Sequence, residues 1–380
     1  MMMILSPLVK KTSFDIGRCS IRVRRVGVGD DDDEPPYEQL NSLKKQISFY
    51  YRNRSWDSAK KLTNAYELVA TSPMPVSRSF FKLYEILSDF ETKIEHFSGS
   101  QIEDMRCLFL AEGPGGFVEA FETFCASRRH RSPGGGTRRL FCNTLIDKCS
   151  RTVPCWKIPT VRMNADAVVF CDGVDGTGNI YSIDNIDSIV SKVGGQGTVH
   201  LVTADGGFDF SDDFDSQEIN ALQLIVAEAY AAMLALSAGG TFVLKMFDVS
   251  LQRTLIVMQL ISSAFASTHV MKPMTSRQAN SEKYMVLMGY TRDEEVLKIL
   301  RDCVASFSTD PLDDVRVDRE FERKVKTANK DIVDAQIRNI SKTIAFLNVQ
   351  PSSLVLGEIA SNQKRRAAAW SAHFFQTKRP

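Results

Sequence analysis

Charge of one sign is what this sequence most lacks. Its 380 residues carry 47 Lys plus Arg against 46 Asp plus Glu, a formal net charge of +1. That balance excludes a chain coated for general polyanion binding, and equally an acidic solvating one. Long apolar runs are missing too. The longest, residues 221–238, is interrupted by Glu228 and spaced as a helix, so a packed helix is expected and no membrane span. The eight cysteines include no Cys-x-x-Cys pair, which removes a zinc ribbon. The apolar start, residues 1–9, is short and is followed rather than preceded by Lys10 and Lys11, so no secretory leader is expected, and the thiols are read as reduced. A 43% hydrophobic content excludes bulk disorder, because it suffices for a substantial core.

What is present is a change of texture along the chain. Residues 1–36 mix basic Arg22, Arg24 and Arg25 with an acidic run at 30–34 and Pro35-Pro36, which predicts a weakly ordered arm. Residues 37–95 turn helical, with Ser77 as a candidate cap before Phe80, Phe81, Leu83, Tyr84, Ile86 and Leu87. Short apolar runs at 107–111, 139–143, 167–171, 199–203, 241–245 and 284–288 then read as strands, separated by helical patterns at 116–127, 216–237 and 252–266. Strands alternating with helices predict an α/β fold with a parallel, doubly wound sheet whose ligands lie at the carboxyl ends of the strands. The expected organisation is an arm at 1–36, a main domain at 37–290 and a helical extension at 291–380. That extension ends in a basic tail, residues 364–380, with five basic and no acidic residues.

After the first of these strands, Glu112-Gly113-Pro114-Gly115-Gly116-Phe117 leads into a helical pattern. Glycine at a strand-to-helix turn lets backbone N–H groups and a helix N-terminus approach a ligand closely. Two nucleotide-phosphate loops are excluded. The sixth residue from Gly113 is Val118, where a dinucleotide fingerprint needs glycine, and no Gly-Lys-Ser/Thr is present. Standing alone, such a loop is equally well read as a tight structural turn.

It does not stand alone. Arg78-Ser-Phe-Phe-Lys82 precedes it, Ala204-Asp205-Gly206-Gly207-Phe208 ends one strand, Leu244-Lys245-Met246-Phe247 ends another, and Lys272-Pro-Met-Thr-Ser-Arg277-Gln-Ala-Asn280-Ser-Glu282 enters the last. With these segments the sequence resembles the FtsJ-type RNA 2′-O-methyltransferases, and within them the cap-specific mRNA (nucleoside-2′-O-)-methyltransferases of eukaryotes and large DNA viruses, over about residues 78–290. The resemblance implies a Rossmann-like methyltransferase sheet with flanking helices and helical extensions at both ends. It implies S-adenosylmethionine as cofactor, the 5′ end of capped mRNA as substrate, and ribose 2′-O-methylation, on the first transcribed nucleotide rather than a later one. It also implies a Lys-Asp-Lys-Glu tetrad at Lys82, Asp205, Lys245 and Glu282.

The chemistry of such a tetrad can be stated separately. A ribose 2′-hydroxyl is a poor nucleophile near neutral pH and must lose its proton as it attacks. A lysine acts as base only if burial or a neighbouring cation lowers its pKa, whereas Asp205 and Glu282 pull the other way. Lys245 is the candidate base with Lys82 as its cationic neighbour, and a purely orienting Lys245 is the other reading. No metal is expected, since the methyl donor already carries positive charge. Taken singly, Lys82 reads as a solvated helix residue, Asp205 as a turn residue and Glu282 as a partner of Lys283; only their joint order favours chemistry.

Residues 112–117 are expected to surround the methionine part of the cofactor. A second segment, Gly173-Val-Asp175-Gly176-Thr-Gly178-Asn179, resembles the family's adenosine-side loop but carries Asn179 where the family has Asp, so a negative charge is gone. Arg277 and Asn280 fall on substrate-facing positions of the family motif. RNA contact is expected from residues 44–82, with eight basic and two acidic residues interleaved with Tyr50, Tyr51, Trp56, Phe80 and Phe81, and from residues 128–157, with eight basic and one acidic. Phe208, Phe247, Tyr50 and Tyr51 are candidates for holding the cap base. Lys364, Arg365 and Arg366 read as a nuclear address, with a cytoplasmic site expected for a cytoplasmic virus. Two alternatives stand: an FtsJ-type rRNA or tRNA 2′-O-methyltransferase, and a catalytically silent RNA-binding subunit.

Overall fold

The computed structural model describes residues 12–15, 35–52, 55–72, 74–97, 99–128, 138–147, 153, 155–157, 167–207, 217–349 and 351–375. Among them the strands are β1 (Thr12–Asp15), β2 (Arg106–Leu110), β3 (Arg139–Cys142), β4 (Val168–Phe170), β5 (Val199–Ala204), β6 (Leu236–Met246), β7 (Phe265–Lys272) and β8 (Lys283–Tyr290). The helices are α1 (Tyr37–Arg52), α2 (Ser55–Thr63), α3 (Ser79–Phe90), α4 (Gly116–Arg128), α5 (Ile183–Lys192), α6 (Gln217–Ala235), α7 (Gln252–Ser263), α8 (Glu294–Ser306), α9 (Arg319–Asn348) and α10 (Ser353–Phe374).

The strands form one sheet in the order β1-β7-β8-β6-β5-β2-β3-β4. β4, β3, β2, β5 and β6 are mutually parallel, and their near-continuous apolar runs suit strands covered on both faces. The sheet is not wholly parallel, as the alternation of elements suggested. β8 runs antiparallel to both β6 and β7, and β1 antiparallel to β7. The connection from β7 to β8, residues 273–282, is too short for the crossover a parallel pair needs. β7 itself was not expected, and its first two residues were counted in the helical pattern at 252–266. That helix stops at Ser263, and the polar Ser267, Thr268 and His269 disguise a strand whose last five residues are buried. Within the arm expected at 1–36, Thr12–Asp15 pair with β7, while residues 1–11 and 16–34 lie outside the described residues.

Side-chain alternation along the strands separates two cores. Leu108, Val202, Ala204, Leu244 and Met285 face one side, where α5, α6, α7 and α8 pack. Cys107, Phe109, Leu201, Val243 and Tyr284 face the other, beneath α3, α4 and α10. The apolar stretch on α6 is thereby accounted for: 78% of Glu218–Ala235 is buried inside the protein. A third cluster joins the two ends of the chain, with Leu40, Ile47 and Trp56 of α1 and α2 against Val333, Ile337 and Ile340 of α9.

One carboxylate ties the back of the second core together. Glu85 on α3 is fully buried and accepts from the Met274 and Thr275 N–H groups at 2.6 and 2.9 Å, the Thr275 hydroxyl at 2.6 Å and the Trp370 indole at 2.9 Å. Helix α3 starts without the expected Ser77 cap: Arg78 occupies the cap position and makes no side-chain cap bond. The Ser77 and Ser79 hydroxyls instead lie where a Cβ on Gly116 would stand, 2.1 Å from each, so the glycine turn and the start of α3 fit together only without a side chain.

Candidate active site

Register brings the four tetrad positions together. Ala204 pairs with Leu244, so Asp205 and Lys245, the next residue on each parallel strand, are neighbours. Lys245 faces Tyr284 across the β6–β8 ladder, and Glu282 directly precedes β8. Lys245 alternates with Val243 onto the face covered by α3, which carries Lys82. Lys82 Nζ lies 2.8 Å from both Glu282 oxygens. Lys245 Nζ is 3.4 Å from Asp205 Oδ1 and donates to the Asp205 carbonyl at 3.3 Å. The four side chains are only 8–16% exposed, so their interactions are weakly screened. Glu282 pairs with Lys82, 200 residues away; Lys283 turns inward to donate to the Phe247 carbonyl at 2.5 Å.

Tyr284, unremarked in the sequence beyond opening a strand, links the two pairs. Its hydroxyl donates to Asp205 Oδ1 at 2.8 Å and approaches Glu282 Oε1 at 3.4 Å. Burial, then the carboxylates Asp205 and Glu282, push its phenol well up, so it stays a donor. Burial on its own would raise Glu282, but Lys82, Lys245 and Lys272 hold that carboxyl well below the usual range. Lys245 answers the question left open by sequence: burial lowers its pKa, yet Asp205, Glu282 and Glu228 together outweigh burial and the net direction is upward. In this state Lys245 keeps its proton at neutral pH. Lys272, buried behind Glu282, donates to the Glu282 carbonyl at 2.6 Å and the Asn280 carbonyl at 2.8 Å, and burial pushes its ammonium down to about 7.

Two loops follow β2 and β3 at this end of the sheet, joined by the Glu112 N–H donating to the Asn143 carbonyl at 3.0 Å. Pairing of Leu110 with Ala204 sets Glu112 near Asp205. Glu112 Oε1 accepts from the Phe117 N–H at 2.6 Å, and burial first, then Asp205, raises its carboxyl well above the ordinary value. Asn143, after β3, donates to the Cys171 and Gly178 carbonyls at 2.9 and 3.1 Å, fastening the 173–179 loop. Gly178 has φ +67°, and a Cβ there would stand 1.9 Å from the Thr144 carbonyl oxygen. Asn179 Oδ1 accepts from the Tyr181 N–H at 2.9 Å.

A family match spans residues 75–290, more than half of the chain, and its description is FtsJ-like methyltransferase. The chain belongs to the FtsJ-like methyltransferase family. It is 26% identical over 291 residues to cap-specific mRNA (nucleoside-2′-O-)-methyltransferase 2 of Mus musculus, covering 71% of this chain and 35% of that protein. It is 37% identical over 121 residues to cap-specific mRNA (nucleoside-2′-O-)-methyltransferase 1 of Trypanosoma brucei brucei, covering 32% of each. It is 26% identical over 288 residues to the probable methyltransferase EP424R of African swine fever virus, covering 72% of this chain and 62% of that protein. The chain thus spans about a third of the length of the mouse relative.

The FtsJ-like family brings S-adenosylmethionine as methyl donor, and two buried atoms test whether these residues fit it. Glu112 Oε2, on a carboxyl that an incoming cation would help to ionise, and Asn143 Oδ1 are buried oxygens with no hydrogen-bond partner among the described residues. The cofactor carries an ammonium and an adenine amino group, both donors, so the loops at Glu112 and Asn143 fit its two ends.

Other expected contacts are placed differently. Arg277 forms a two-pronged pair with Glu67, at 3.1 and 2.8 Å, and Asn280 Oδ1 accepts from Lys272 Nζ at 3.1 Å. Neither side chain is held at the tetrad itself. Lys44 is buried against Asp248 at 2.7 Å and leaves the expected RNA face. Trp56, Phe80 and Phe81 are core residues, because the helices bearing them bury those faces. Phe247 is buried with Lys245 Nζ 5.4 Å from its ring centroid, and Tyr50 donates to Asn348 Oδ1 at 2.7 Å. Phe208, the Tyr51 side chain, most of the basic 128–139 loop and the acidic 209–216 run lie outside the described residues.

Proposed function

We propose that this chain is an S-adenosylmethionine-dependent cap-specific mRNA 2′-O-ribose methyltransferase that forms cap 1, the methylated first transcribed nucleotide. The observation that carries the reading is the pair of lysine–carboxylate contacts, Lys82 with Glu282 and Lys245 with Asp205, delivered by separate elements to one end of the sheet beside the two unpaired acceptors. The names of the relatives support the cap as substrate. Residues 37–290 are the catalytic unit in this reading, Glu112 to Phe117 and Asn179 line the cofactor, and Arg277 and Asn280 belong to the RNA side. The protein acts in the nucleus, or in the cytoplasm if its source is a cytoplasmic virus.

When bound, S-adenosylmethionine supplies a methyl group on a positively charged sulfur. The chain's own residues orient and deprotonate the ribose. Asp205, itself held by the Tyr284 hydroxyl, holds Lys245, and Glu282 holds Lys82, so both ammonium groups are fixed before RNA arrives. Lys245 first donates to the 2′-oxygen, which orients it. It can accept the 2′-hydroxyl proton only as the free amine, after releasing its own proton to solvent, a loss favoured by a complex that buries it further and adds positive charge, the two changes that oppose its upward shift.

Capped and uncapped RNA of one sequence, offered with labelled cofactor, should differ in kcat/KM by about a hundredfold or more. Equal ribose methylation of both sinks the cap reading in favour of a 2′-O-methyltransferase of structured RNA. Absence of saturable cofactor binding by calorimetry would leave a silent RNA-binding subunit.

A further inference from the structure

Glu228 is the single charge within residues 221–238, and no step described above uses it. It belongs to α6, whose Val226, Ala227, Ala229 and Tyr230 pack in the core on the side of the sheet opposite the tetrad. Its residue is 1% exposed, and a carboxyl so placed is costly unless it serves a partner. The partner is the Gly206 N–H, 3.0 Å from Glu228 Oε1. A Cβ on Gly206 would stand 2.1 Å from that oxygen, so glycine at 206 is what admits the carboxyl to the end of β5. Asp205, the preceding residue, holds Lys245 through both its carbonyl and its carboxylate. On the next residue, a Cβ at Gly207 would stand 3.2 Å from Lys245 Nζ. The Asp205-Gly206-Gly207 turn is therefore clamped between Glu228 on one face and Lys245 on the other.

We propose that Glu228 is a positioning residue for Lys245, fixing the Asp205–Gly206 turn from the far face of the sheet and tuning the charge that Lys245 meets. The groups that face Glu228 are Lys245 on β6, Asp205 at the end of β5 and Tyr181 ahead of α5. Glu112 lies beyond Asp205 and interacts with Lys245 as well. Burial pushes the Glu228 carboxyl up to about 8, partly offset by Lys245 and the Gly206 N–H, so it is neutral near pH 7 and ionises as pH rises through that value. Once ionised, it favours the Lys245 ammonium. The folded chain holds this proton where an unfolded chain has released it. Glu228 therefore subtracts stability progressively between its ordinary value of 4.5 and about 8, and Glu228→Gln should gain over wild type as pH rises across that window.

The proposal rests on the methyltransferase reading, so its test has one arm that needs no turnover. In the full chain, ¹³Cε-lysine NMR follows Lys245, assigned through Lys245→Arg. Glu228→Gln should titrate Lys245 at a lower pH than wild type does. In steady-state assays, Glu228→Ala should lose about tenfold or more in kcat with KM for RNA and cofactor changed less than about threefold, and Glu228→Gln, which keeps an acceptor for Gly206, should recover most of kcat. An unmoved Lys245 midpoint in Glu228→Gln overturns the proposal. So does a Glu228→Ala kcat within about twofold of wild type. If Glu228→Ala does not fold, the glutamine variant still decides through the NMR arm. Wild-type protein that methylates neither capped nor uncapped RNA removes the proposed function and leaves the NMR result standing.

Discussion

The strands on either side of the β2–β5 boundary build the site by different means. On the β2–β3–β4 side, the loops are shaped chiefly by backbone fit, with Gly116 between two serine hydroxyls, Gly178 in the left-handed region against the Thr144 carbonyl and the 173–179 loop fastened by Asn143, and two side-chain oxygens, Glu112 Oε2 and Asn143 Oδ1, are left over. On the β5–β6–β8 side the means is side-chain charge, two lysines and two carboxylates bridged by one phenol. Backbone shape tolerates a change of charge but not of volume. A charge network tolerates a change of volume but not of sign. In the proposed function, binding of a cofactor and orientation of a nucleophile would thus draw on separate tolerances within one sheet.

The largest effect expected of this division is at Lys245. Lys245→Ala should cost about a thousandfold or more in kcat while capped-RNA affinity, read by fluorescence anisotropy, stays within about twofold. Near-wild-type turnover would remove Lys245 from its assigned role. Next comes Gly178→Ala, where a positive φ and a Cβ only 1.9 Å from a backbone oxygen force the loop to move. Calorimetry should show cofactor binding weakened about ten- to a hundredfold with kcat at saturation within about threefold. A loss confined to kcat would erase the distinction between the two sides. The smallest effect is expected of Asn179→Asp, since its Oδ1 already accepts from Tyr181 and an aspartate keeps that bond. Cofactor affinity should change less than about threefold, and a tenfold gain would show that side-chain charge matters on the backbone side too.

The same division explains what could be read in the sequence. Glycines and strand ends are local signals, so the loop at 112–117 stood out after its strand, whereas the four tetrad positions looked bland singly and were read only jointly, through the resemblance. Partnerships were not legible. Nothing local says that Glu282 reaches Lys82 rather than Lys283, because that depends on α3 covering the face onto which Lys245 alternates. Tyr284 and Glu228 were seen only as a strand start and an interruption, their roles being set by register and by the face each packs against. The basic segment 44–82 misled in the same manner. Its composition counts Lys44, Trp56, Phe80 and Phe81, but composition carries no direction, and all four turn inward. β7 escaped because its polar residues are buried by neighbours that a linear pattern does not reveal.

Glu85 carries a consequence in time as well as in space. Three residues after Lys82, it binds the start of the loop that brings Glu282, and its last acceptor position is filled by Trp370. A nascent chain synthesised as far as Tyr290 already contains the whole tetrad, yet its Glu85 still awaits the indole that α10 will bring. Helix α10, made after all four of those residues, completes the bracing behind Lys82 and the 273–282 loop. A ribosome stalled within α10 would therefore release a chain with all four residues in place but with the buried Glu85 one donor short.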